Sequence, residues 1–110
     1  MDKIIAKVVA LGVPGLVLLI LISAKGLAGA AAIVAALAAL GGPFGMLGGL
    51  AVLGTMVLVS DGIAKYGLDT IFAGVVDGLL KKGMSKAQIR KEIESYPISK
   101  SLKKKLFKRL

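Results

Sequence analysis

The chain has no cysteine, no histidine and no tryptophan. Without cysteine there is no disulfide framework and no thiol nucleophile, and nothing marks a redox compartment. Without histidine there is no imidazole to bind a metal or to move a proton near neutral pH. Charge is absent over one long stretch: residues 26–60 are thirty-five consecutive positions with no Asp, Glu, Lys or Arg. Between residues 8 and 60, Lys25 is the only charged side chain. A soluble domain of 110 residues has too little polar surface to wrap so long an apolar run, whereas a bilayer accepts it.

Motifs of catalysis are missing as well. No nucleophile lies beside a base, and the glycine-rich stretch lacks both the Lys-Ser/Thr ending and the preceding strand of a phosphate loop. The six carboxylates are scattered, and three of them fall on a helical ladder described below. The sequence therefore reads as a non-enzyme that requires no cofactor and no metal. A selective channel or transporter is equally poorly supported, because the apolar segments offer almost no polar group to recognise a solute.

Of the residues present, 56% are apolar, and the mean hydropathy is +0.86. Residues 1–80 hold four lysines and four aspartates, which cancel; residues 81–110 hold eleven Lys or Arg against Glu92 and Glu94. All of the net charge of +9 therefore sits in the last thirty residues. A neutral oily body with a basic tail is a topology signal, the tail remaining cytoplasmic.

The expected fold is an all-α integral membrane protein. It has a kinked N-terminal span, a Gly/Ala-rich helical hairpin, an amphipathic helix and short basic C-terminal helices. Residues 1–60 form the membrane-embedded region, with spans at about 4–24, 26–41 and 43–60. The first would extend roughly 30 Å at 1.5 Å per residue, kinked at Pro14 between Gly12 and Gly15. Ala28-Gly29-Ala30 imitates a cleavage site, but the apolar stretch up to Ile22 is long for a signal peptide and suits a retained span. Residues 26–40 contain eight alanines and reach only about 23 Å. The turn Gly41-Gly42-Pro43 then breaks the helix and leaves a hairpin tip without charge. Three spans with the N-terminus outside put Lys25 and the tail on the cytoplasmic side.

Gly41, Gly45 and Gly49 recur every four residues, as do Gly74 and Gly78. Such spacing lets two helix backbones approach closely, either between copies of the chain or between the two arms of the hairpin. Asp61, Lys65, Asp69, Asp77 and Lys81 form an i, i+4 ladder of alternating sign. Residues 61–83 thus read as an amphipathic helix, interrupted near Tyr66-Gly67, lying at the interface or lining an aqueous path in an oligomer. Residues 84–110 read as a basic helical tail. Ser85 to Gln88 fits a capping box for a helix reaching Ser95, and Ser99 caps a last helix. That helix sets Leu102, Leu106, Phe107 and Leu110 against Lys100, Lys103, Lys104, Lys105, Lys108 and Arg109, the pattern of a binder of anionic lipid or of a protein partner. A DNA-binding reading is disfavoured, since no third helix remains to back the pair and only Tyr96 and Phe107 could stack on bases.

Short spans followed by a strongly basic tail, in a chain of this size, resemble phage holins. The stretch VAALAALGGPFGMLGG is likewise similar to the uncharged hairpins of pore-forming toxins and cell-suicide effectors. The resemblance implies a small bacterial inner-membrane protein that oligomerises through Gly41, Gly45 and Gly49 and permeabilises the bilayer, the tail regulating or anchoring it. The long charged helix at 61–82 departs from that plan. The alternative is a non-catalytic membrane anchor or accessory subunit of a larger complex, whose tail docks a partner or anionic lipid.

Overall fold

Nine of the thirteen residues of one helix, Val13–Lys25, are buried, on every side of it. A helix apolar all round must be enclosed by protein or by lipid. Here protein encloses it. The computed structural model describes residues 1–40 and 49–110, apart from the side chains of residues 49–52. Around the central helix (α2) stand α1 (Asp2–Ala10), α3 (Ala30–Ala39), α4 (Gly49–Tyr66), α5 (Leu68–Lys81), α6 (Lys86–Ser95) and α7 (Lys100–Lys108), with a 3₁₀ turn at Leu27–Gly29. The described residues contain no strand.

The expected span at 4–24 is two helices. Gly12 has φ +75°, a left-handed conformation that reverses the chain and that side-chain-bearing residues seldom adopt. Pro14 falls in the first turn of α2, where helix N–H groups lack intrahelical acceptors anyway, so it starts a helix instead of kinking one. The α1–α2 corner is tight: a Cβ on Gly15 would lie 2.6 Å from the Val8 carbonyl oxygen.

Two further corners turn on glycine. Gly26 (φ +64°) ends α2, and the direction from residues 13–25 to residues 27–39 changes by 114°. Gly67 (φ +88°) separates α4 from α5, so the charged ladder is divided between two helices. Among the described residues no single helix is long and apolar enough to cross a membrane; the bent pair Val13–Lys25 and Leu27–Ala39 passes by length and composition only. At 1.5 Å per residue α2 measures about 20 Å and α3 about 15 Å, against roughly 30 Å of hydrocarbon. The GGP turn and the ends of the second and third expected spans, at 41–48, lie outside the described residues.

The tail forms as its capping signals specify. Ser85 Oγ accepts from the Gln88 N–H, the Gln88 side chain accepts from the Ser85 N–H, and Ser99 Oγ accepts from the Leu102 N–H. Its apolar side, however, does not face outward. Ile89, Ile93 and Leu106 are fully buried, and Leu102, Phe107 and Leu110 pack against the same core. Both α6 and α7 contact α2, which is the third helix that the sequence reading lacked. Every helix contributes to one continuous core, and the radius of gyration is 12.6 Å, close to the ~13 Å of a packed domain this long.

Candidate functional site

Two surfaces stand out, one without charge and one basic. The first is built by α3 and the adjoining α4. Ile33 and Leu37 turn into the core, which leaves Ala31, Ala32, Ala35, Ala38 and Ala39 exposed. The neighbouring turn exposes Leu27 (41%), and α4 exposes Leu53 (41%) and Val57 (49%). With Met1, these are the large hydrophobic side chains exposed among the described residues. Three of the four thus lie in the stretch without charge. Gly54 lies on the same part of α4, and a Cβ there would meet nothing within 4 Å among the described residues. Its lack of a side chain serves no contact inside the described fold.

The remaining glycines divide. Gly41 and Gly45 lie outside the described residues, and Gly49 opens α4 with surroundings that also lie outside them. Gly74 and Gly78 meet α1 of the same chain: added Cβ atoms would collide with Ile5 Cδ1 and would lie 2.6 Å from Val9 Cγ2, respectively. Gly62, which the sequence reading passed over, receives Ile4 in the same way, at 2.6 Å. The i, i+4 spacing was a visible signal at 74 and 78, but the partner helix was not.

The ladder residues do not act as one stripe. Asp61 and Lys65 belong to α4; Asp69, Asp77 and Lys81 belong to α5. Asp77 and Lys81 pair at 3.0 Å, both well exposed, an arrangement that contributes little to stability. Asp69 instead accepts from Arg109 Nε at 3.0 Å, tying the start of α5 to the end of α7. The Lys65 ammonium sits 5.3 Å from the Tyr66 ring centroid. Asp61 is exposed and makes no ion pair among the described residues.

The basic surface is concentrated at the end of α7. Lys100 and Lys104 are exposed, and Lys103 Nζ donates to the Glu94 carbonyl at 2.8 Å. Lys105, Lys108 and Arg109 share one helix face, since i, i+3 and i, i+4 neighbours align. With Ile20, Ser23, Ala24 and Leu68 they line a cleft of about 320 Å³. A second cleft of about 370 Å³, lined by Asp69, Phe72, Ala73, Lys108 and Arg109, adjoins it through the shared cations. Arg109 is held on two sides, by Asp69 and by the Lys105 carbonyl at 3.0 Å. Nothing in the sequence linked Ser23, on the central helix, to the tail.

A third cleft, of about 430 Å³, lies where the α1–α2 corner, Leu40 and α6 meet. At its edge the Tyr96 hydroxyl donates to the Glu92 carboxylate. Burial pushes the Tyr96 phenol above its usual range, and the hydrogen bond to Glu92 and the negative charge of that carboxylate add to the rise. Among the described residues no group of three or more acidic side chains is placed to hold a metal ion. Comparison with known proteins returns no family model, no curated protein and no solved structure that matches this chain.

Proposed function

We propose that this chain is a non-catalytic membrane protein that seats its uncharged α3–α4 surface in a bilayer, self-associates there, and permeabilises the membrane. One observation carries the reading: exposed Leu27, Leu53 and Val57 lie in the part of the chain that has no charge. Each Lys, Arg or Asp brought to the bilayer centre costs ~2.5–3.5 kcal/mol, and residues 26–60 meet none of that barrier. Self-association is supported by the alanine face of α3 and by Gly54. Small residues let helices approach closely in lipid, where hydrophobic burial no longer drives contact. The membrane is the bacterial inner membrane, with the basic C-terminus on the cytoplasmic side among anionic lipids. Nucleic acid is not a partner in this reading, and no cofactor takes part.

The alanine face also favours a second reading, an accessory subunit whose α3 packs on a helix of a larger membrane complex. Membrane potential measured by a voltage-sensitive dye, in bacteria expressing the intact chain alone, separates the two. Permeabilisation predicts rapid depolarisation that Val57→Lys removes by opposing insertion and that Ala35→Leu removes by opposing association. A normal potential, with the protein recovered in the membrane fraction, overturns the permeabiliser and leaves the subunit in front.

A further inference from the structure

We propose that the cleft between the end of α7 and the last turn of α2 is a binding site for a phosphate group. The cations of this corner are available. Lys105 and Lys108 make no ion pair and their ammonium groups no hydrogen bond among the described residues, whereas Lys81 is paired and Lys103 is hydrogen-bonded. Arg109 is oriented without being saturated. Of the five donors of a guanidinium, one goes to Asp69 and one to the Lys105 carbonyl. The Ser23 hydroxyl, on the same cleft, is exposed and makes no hydrogen bond among the described residues. Three cations against Asp69 leave a local charge of +2, the complement of a phosphate monoester dianion.

The shape of the corner narrows the ligand class. A tetrahedral phosphate accepts from several directions at once, and here donors arrive from α7 on one side and from Ser23 on the other. Ile20, Ala24 and Leu68 provide an apolar floor, which suits the carbon chain next to a phosphate ester. The same chemistry is offered by a lipid headgroup and by a soluble phosphate. The site does not depend on whether α3 and α4 enter a bilayer.

Lysines in the last turn of a helix also stabilise its dipole, and α7 ends here. That role changes helix stability but creates no localised anion site, so binding and folding must be read separately. The full-length protein is titrated with inorganic phosphate, followed by amide NMR shifts, and with vesicles of phosphatidylcholine with or without phosphatidic acid. Far-UV circular dichroism monitors the fold. The double variant Lys105→Gln/Lys108→Gln is compared with Lys86→Gln/Lys91→Gln, which removes the same charge from exposed positions on α6. The proposal expects phosphate shifts clustered at Ser23, Leu68 and Arg109. It also expects affinity at least tenfold weaker in the α7 variant, several-fold weaker in Ser23→Ala and within about twofold of wild type in the α6 variant. Binding to free phosphate alone identifies a soluble ligand, and binding to acidic vesicles alone identifies a lipid headgroup. Equal losses in the two double variants, or no binding to either probe, overturn the site.

Discussion

Gly78 and Gly54 occupy similar helical sequence but answer to different neighbours. At Gly78 the α1 side chain Val9 fills the space a Cβ would need, while a Cβ on Gly54 would meet nothing within 4 Å among the described residues. Gly78→Val therefore forces α1 off α5, at a cost of about 1–3 kcal/mol. Gly54→Ala removes a poor helix former from an exposed helix interior and stabilises by about 1 kcal/mol. Chemical denaturation of the two variants checks both signs. If Gly54→Ala also lowers depolarisation while raising stability, the glycine serves contact between chains. Tyr96 supplies a pH signature. Its folded-state pKa lies above the ordinary 10.0, so the unfolded chain loses this proton first as pH rises. The contribution is fully present below pH 10 and is lost progressively above it. Stability measured from pH 9 to pH 11.5 should fall less in Tyr96→Phe than in wild type, a difference that cancels the ionisation of the lysines common to both.

At the scale of helices, local signals were legible and partners were not. The α6 capping box could be read from Ser85 and Gln88 alone, because it is closed by atoms three residues apart. Ser85→Ala should cost about 0.5–2 kcal/mol, seen as a lower denaturation midpoint, with Ser99→Ala at the start of α7 behaving alike. The apolar stripes of α6 and α7 were equally legible as stripes. Periodicity names the face to be covered and is silent about the cover, so a surface expected to meet lipid rests on α2. The central helix posed the same ambiguity in stronger form. An all-apolar segment looks identical whether lipid or protein surrounds it. Pro14 looks like a kink within a continuous helix over residues 4–24; φ +75° at Gly12 decides otherwise. At the candidate site the cations of α7 were visible in sequence, but Ser23 and Leu68 were not, since tertiary packing alone brings them to that corner.

Across the whole molecule, no helix owns a private core. Buried side chains run from Ile4 on α1 through α2 to Leu106 on α7 as one cluster. Unfolding should therefore be a single cooperative transition, with helix content at 222 nm and tyrosine fluorescence changing together. An early, separate loss of either signal would mean that α6 and α7 detach first. The enclosure of α2 also has an order in time. Part of its cover is distant in sequence: α5 and α7 are made after α2 and its neighbours α1 and α3. At roughly 5–20 residues per second, the 81 residues from Lys25 to Leu106 take about 4–16 s to synthesise. During that interval the apolar α2 lacks the cover that α7 gives it. In the membrane reading proposed above, delivery must precede completion of the cover, and slowing translation beyond Lys25 should raise the membrane-bound share of the protein.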